Sequence, residues 1–404
     1  MRPRRTPVVG RRAVLRGLVL GGGLGALGAG ALAACGIPPA RQSADKCIST
    51  DQSAVQNAQG QKALNFSNWP SYMDESDEKV NGKTVLPTLD AFQKQSGIQV
   101  TYTADVNDNS EFYAKVRDQL GSCQTTGRDI FVLTDWMAGR MVNLGWLQKL
   151  DHAAVPNVDQ HLLKQLKSPT WDPHRDYSVP WQSGLTGIAY NAKVTKEVRS
   201  YADLLSKPEF KGKITLLSEM PDTMAFMLRL VGADPSKFND AEWSKALQML
   251  EDSVGSGQIR KFTGNDYVQD LNDGNISACM AWSGDVLALQ ADNPDIKFVV
   301  PEEGLNLWSD NMLVPNKATH KANAEALMNY YYDPEVAATL AAWVNYICPV
   351  EGARQAMEKI DPDLVDNPLV FPDQDMLSKT SSFMPLDTAK AKLYETDFNL
   401  AIGG

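Results

Sequence analysis

The chain has little of what metal and redox chemistry would need. Its four histidines (His152, His161, His174, His320) lie far apart, and none of its five cysteines forms a C-x-x-C pair. Zinc binding and thioredoxin-like exchange therefore have no sequence support. From Ala63 onward there is no G-x-S-x-G nucleophile elbow, phosphate loop or dinucleotide-binding glycine fingerprint. Asp105-x-Asn107-x-Asn109-x-Glu111 has the alternation of a calcium loop. It lacks the glycine at the sixth position, however, and Val116 stands where the bidentate glutamate belongs. No cofactor, metal or catalytic residue is expected, and the chain does not read as an enzyme.

Long apolar runs are also scarce, and the one that stands out is N-terminal. Arg2, Arg4, Arg5, Arg11, Arg12 and Arg16 precede a glycine-rich apolar stretch from Leu18 to Leu32 that contains no acid. A spanning helix needs about 20 mostly apolar residues, so this pattern predicts an export signal over residues 1–34. Arg11-Arg12-Ala13-Val14-Leu15-Arg16 looks like a twin-arginine signal, and Leu32-Ala33-Ala34-Cys35-Gly36 resembles the lipobox of bacterial lipoproteins. Lipid on Cys35 would anchor the chain at the outer face of the cell membrane, in the periplasm or cell envelope. Residues 35–61 are rich in Ser, Gln, Ala, Asp and Pro and are expected to act as a flexible tether.

Removing residues 1–34 takes away six arginines and no acids, so the formal charge moves from −10 to −16. Such a surface disfavours nucleic acid and favours approach by cations. Cys47, Cys123, Cys279 and Cys348 remain, an even number in an oxidising compartment. One or two disulfides are expected, with three full pairings open.

The body holds roughly 340 residues, more than one core usually supports, so two lobes are expected. Brief, often β-branched runs read as strands: Ala63 to Trp69, Ile98 to Ala104, Asp129 to Thr134, Gly187 to Tyr190, Lys213 to Leu217, Ile276 to Trp282 and Ile296 to Val300. Between them, Leu86, Leu89 and Phe92 before Gly97, and Phe112, Val116 and Leu120 before Gly121, carry helical spacing. Ala241 to Val254, Ala322 to Tyr332 and Pro334 to Val344 also read as helices. The alternation predicts an α/β architecture with mostly parallel sheets covered on both faces.

In open α/β sheets ligands bind beyond the carboxyl ends of the strands. Five segments at such places carry aromatics, acids or both: Asn68 to Tyr72, Thr134 to Trp136, Glu219 to Asp222, Trp282 to Asp285 and Trp308 to Asp310. Any one tryptophan or acid is explained by core packing or solvation. Five in corresponding places suit an alkylammonium, whose methylenes pack on rings and whose charged ends meet carboxylates.

From about Ala63 to Met357 the chain resembles the spermidine/putrescine-binding proteins of bacterial ABC importers. The resemblance is carried by Asn68-Trp69-Pro70-Ser71-Tyr72, by Ser178-Val179-Pro180-Trp181 leading to Gly187-Ile188-Ala189-Tyr190-Asn191, and by Trp282-Ser283-Gly284-Asp285. Pro301-Glu302-Glu303-Gly304 with Trp308-x-Asp310, and Asp333-Pro334-Glu335-Val336-Ala337 with Asn345-Tyr346, complete it. It implies a type II periplasmic-binding fold, two α/β lobes joined by crossing hinge strands with the ligand in the cleft. Lobe 1 would comprise 62–181 and 307–354, and lobe 2 would comprise 182–306 and 355–404. The implied ligand residues are Trp69, Tyr72, Thr134, Trp136, Glu219, Asp222, Trp282, Asp285, Trp308, Asp310 and Tyr346, with Asp285 fitting the putrescine-preferring form. The implied partners are a polyamine and an ABC permease, with the protein acting as a monomer. Pro70 stands where some members have a polar residue, and no counterpart of a cleft glutamine is evident around Phe383 and Met384.

Overall fold

The structure, a computed structural model, describes Cys47 and residues 60–76, 78–80 and 82–403. The export signal, Cys35 and most of the expected tether lie outside the described residues. Cys47 is buried and forms a disulfide with Cys123, with Cα atoms 5.1 Å apart. The expected tether therefore has a covalent fixed point inside it, which its composition did not signal. Cys279 and Cys348 are buried free thiols, so the described residues hold one bridge.

Ten strands form one continuous sheet: β1 (Ala63–Asn68), β2 (Gln99–Ala104), β3 (Ile130–Thr134), β4 (Ser178–Asn191), β5 (Ile214–Leu217), β6 (Ile259–Thr263), β7 (Ala278–Trp282), β8 (Ile296–Val299), β9 (Leu305–Leu313) and β10 (Thr380–Ser381). The order across it is β2-β1-β3-β9-β4-β7-β5-β6, with β8 on β4 and β10 on β9. Each end is parallel: β1 pairs β2 and β3, and β5 pairs β6 and β7. The middle is not, because β9 and β4 run antiparallel to each other and to β3 and β7. The expectation of mostly parallel sheets thus holds for the two ends and fails where the long strands cross. These two strands weld the ends together.

The helices begin and end where local chemistry dictates. Pro87 opens Pro87–Ser96 and Gly97 ends it in the left-handed conformation. Asn239 and Glu242 form a capping box on Asp240–Gly255. Asp333 caps Pro334–Val344, accepting from two backbone N–H groups.

Two principal cores result. The first collects Leu64, Phe66, Ile130, Val132, Trp181, Met312, Tyr331 and Leu340, and a neighbouring cluster with Phe112, Phe131, Met137 and Trp146 covers the other face of that end of the sheet. The second collects Ile188, Leu216, Phe226, Trp243, Met280, Tyr394 and Phe398. Residues 355–404, expected in the second lobe, divide between the two. Ala356, Met357, Leu364 and Val370 join the first core, because the amphipathic helix Ala353–Ile360 docks against Pro334–Val344. Among the described residues no helix is long and apolar enough to cross a membrane.

Candidate functional site

The strands β3, β4, β7 and β9 meet where the two ends of the sheet join, and their side chains build the site. Alternation places Asn306, Trp308 and Asp310 on one face of β9. Their partners on β4 are Thr186, Gly184 and Gln182, and Thr186 in turn pairs with Trp282 on β7. Gly184 is required here. A Cβ on it would stand 2.3 Å from the Trp308 ring, so only glycine lets the indole lie flat on β4.

Aromatic rings line the join. Tyr72 meets Tyr346 edge-on at 5.5 Å between centroids, Tyr346 meets Trp308 at 5.5 Å, and Trp308 meets Trp282 at 6.5 Å. Gly284, in the first turn of helix Ser283–Asp292, makes this closeness feasible, since a Cβ there would lie 2.5 Å from the Tyr346 ring.

Four carboxyl groups surround the rings, and neutral donors satisfy each of them. Asp310 accepts from the Tyr72 hydroxyl and the Thr134 hydroxyl, both at 2.7 Å. Asp222 accepts from Thr186 at 2.5 Å, Asn306 at 2.9 Å and the Trp282 indole at 3.2 Å. Asp285 accepts from Tyr267 at 2.8 Å, Asn265 at 2.9 Å and Tyr346 at 3.0 Å. Glu219 accepts from the Asn109 backbone N–H at 3.3 Å and from its side-chain amide at 3.2 Å, and that amide also donates to Thr134 at 2.8 Å.

Among the described residues no Lys, Arg or His forms an ion pair with any of these four acids. All four are consequently harder to ionise than in water. Burial pushes Asp310 up to about 7, with Thr134 and Tyr72 opposing it and Asp135 and Asp222 adding repulsion. Burial likewise raises Asp222 and Asp285. Glu219 is raised well above the usual range, first by burial and then by Asp108 and Asp222. Buried negative charge without a partner is costly, and a bound cation would relieve it.

Hydrogen bonds and ring contacts thus bring nine of the expected site residues together. Trp69 and Trp136 contribute differently. The Trp69 indole donates to the Val132 carbonyl at 3.0 Å, and both rings are half-buried against the cluster containing Phe112 and Met137. Sequence reading missed Asn109, Thr186, Asn265, Tyr267 and Asn306. Asn306 and Thr186 could have been found from alternation with Trp308 and Asp310 had the strand expected at Gly187 to Tyr190 been extended back to Ser178 and Leu305–Leu313 been read as a strand. Asn265 carried no signal, and Asn109 stood out only as part of the calcium-like alternation. The calcium-like segment is not a cation loop: Asp105 pairs with Arg128, Glu111 with Lys115, Asp108 caps helix Asn109–Gly121, and Asn109 faces Glu219. Among the described residues no His, Cys, Asp and Glu cluster could hold a metal.

Phe383 and Met384, where a cleft glutamine was sought, pack on the second core. Asp135 is a further acid at the site, but its role is structural. It accepts from the Ser309 backbone and from Asn311, and the charge of Arg175 offsets its burial.

A family model described as bacterial extracellular solute-binding protein matches residues 88–372. The spermidine/putrescine-binding periplasmic protein of Escherichia coli is 26% identical over 341 residues, covering 84% of this chain and 91% of that protein. The putrescine-binding periplasmic protein of the same organism is 28% identical over 339 residues, covering 79% and 85%. A putative spermidine/putrescine ABC transporter structure from Listeria monocytogenes superimposes with a TM-score of 0.73 at 25% identity, covering 84% of this chain and 98% of that one.

Proposed function

We propose that this chain, which belongs to the bacterial extracellular solute-binding protein family, captures a polyamine of the putrescine or spermidine type between its two lobes and presents it to an ABC permease. The observation that carries this reading is the set of four enclosed carboxyl groups, Glu219, Asp222, Asp285 and Asp310, held by neutral donors beside Tyr72, Tyr346, Trp282 and Trp308. Two or more ammonium groups on an alkyl stem complement that pattern in charge and in shape. The names of the relatives at 26–28% identity point the same way.

The first lobe contributes Tyr72, Thr134, Asp310 and Tyr346, with Trp69 and Trp136 on its wall. The second contributes Glu219, Asp222, Trp282 and Asp285. The bonds Asn109 to Glu219 and Tyr346 to Asp285 join groups from the two cores. A ligand that touches both lobes stabilises the closed arrangement selectively, which is what a closure mechanism requires. Cys35 would carry the lipid that keeps the monomeric body at the outer face of the cell membrane after export.

The deciding experiment is isothermal titration of ligand-stripped protein with putrescine, spermidine, spermine and betaine at two salt concentrations. We expect tight, saturable, salt-weakened binding of at least one polyamine and none of betaine. Betaine binding without polyamine binding would instead support a quaternary-amine receptor, and silence with every polyamine would refute the proposal. For the anchor, the full chain should sediment with membranes and its Cys35→Ala variant should not.

A further inference from the structure

Asn306 shares a face of β9 with Trp308 and Asp310, two residues before the first and four before the second. It is 3% exposed. Its amide N–H donates to Asp222 at 2.9 Å, which fixes the orientation of the amide, because the opposite flip would set its oxygen against a carboxylate. The other end, Oδ1, is buried and accepts no hydrogen bond among the described residues. An orphaned buried acceptor carries a desolvation penalty that nothing in the ligand-free protein offsets.

Around it the register places Thr186 directly opposite on β4 and Trp282 beyond that on β7, and Asp222 bonds to all three. The Trp308 indole N–H is already given to Thr186 at 3.0 Å. The protein has therefore used its local donors on Asp222 and Thr186 and has left one oxygen for a donor from elsewhere.

We propose that Asn306 Oδ1 is a ligand acceptor that requires an N–H on the cation, so that it selects primary and secondary ammonium groups over quaternary ones. This rests on the polyamine reading and deepens it. A carboxylate attracts any cation and an aromatic ring attracts a methylated one at least as readily, so neither distinguishes the two classes sharply. A buried amide oxygen does, because a quaternary ammonium has no proton to give it. The same oxygen supplies a neutral acceptor beside the carboxyl groups.

The test compares putrescine with its bis-trimethylammonium analogue on wild-type protein, Asn306→Leu and Asn306→Thr, by titration calorimetry. Wild type is expected to prefer putrescine. Asn306→Leu removes both the donor to Asp222 and the free acceptor; it should lose tenfold or more in putrescine affinity and much less in affinity for the methylated analogue, so that the preference narrows. Asn306→Thr, whose hydroxyl can donate to Asp222 and still accept, should retain the preference and serves as well if the leucine variant does not fold. Equal discrimination by wild type and Asn306→Leu, or loss of discrimination in Asn306→Thr, would overturn the assignment while leaving polyamine binding intact. Failure of wild type to bind any polyamine would instead remove the reading on which it stands.

Discussion

If the site captures a polyamine as proposed, Asp310 would couple that capture to pH. Its carboxyl is raised by burial to about 7, whereas an aspartate in an unfolded chain titrates near 3.9. The ligand-free folded protein therefore holds this proton more tightly than the unfolded chain does. The associated stability is fully present below about 4 and is lost as pH rises through 7. An alkylammonium stays charged throughout this range and favours the ionised carboxylate. Below pH 7 it must displace a proton to bind. We expect polyamine affinity to fall by up to about tenfold per pH unit between pH 7 and 5. Asp310→Asn should bind more weakly and show a flatter profile. Calorimetric titration across that range checks this, and a flat wild-type profile would remove Asp310 from the binding equilibrium. The neighbours that set the charge act in both directions: Thr134 and Tyr72 donate to it, while Asp135 and Asp222 repel it.

At the scale of elements, the short strands and their helices were legible because each announces itself. Ile130–Thr134 is a run of apolar and β-branched residues, and Pro334–Val344 opens with an aspartate cap and a first-turn proline. The long strands were legible only in part, since Gly187 to Tyr190 read as a strand while the rest of Ser178–Asn191 and all of Leu305–Leu313 did not. Pro180 and Gly184 read locally as breakers ahead of the expected start at Gly187, and the burial of the strand is continuous, so period-two alternation is absent. Tertiary contacts explain all three residues. Pro180 lies at the bulge where register shifts against Asp310 and Asn311, Gly184 lies under Trp308, and Gly187 lies against Phe298. Gly284 is the matching case on a helix, and it yields a prediction. Gly284→Ala places a methyl against the Tyr346 ring from the other lobe, an overpacking cost of about 1–3 kcal/mol. The lobes should then close less well, weakening polyamine binding roughly ten- to hundredfold and reducing the ligand-induced fall in radius of gyration seen by X-ray scattering. Unchanged affinity would show that Tyr346 can yield without loss.

Among the described residues, one ion pair connects the two halves without involving Glu219, Asp222, Asp285 or Asp310. Arg140 lies on helix Asp135–Asn143, whose N-cap is Thr134 and whose first turn holds Trp136, and its guanidinium sits 4.2 Å above the Tyr113 ring. It donates to Glu395 at 2.7 Å, with the two side chains 7% and 20% exposed. Glu395 belongs to helix Thr388–Ile402, whose Tyr394 and Phe398 are buried in the second core. The pair therefore bridges the halves at a point the crossing strands do not reach, and any opening of the lobes that separates these helices must expose and divide it. Removing one partner of a buried pair costs more than the pair itself is worth, because the remaining charge is left stranded. Glu395→Gln should thus bias the ligand-free protein toward an open form and weaken polyamine binding about ten- to hundredfold, although neither residue belongs to the set of ligand acids. The double variant Arg140→Met, Glu395→Leu removes both charges and should recover most of that loss, since apolar packing can replace a buried pair. Scattering on ligand-free protein and calorimetry on all three forms distinguish the outcomes. If Glu395→Gln binds like wild type, the C-terminal helix is a passive cover; if only the double variant recovers, it is part of the closure.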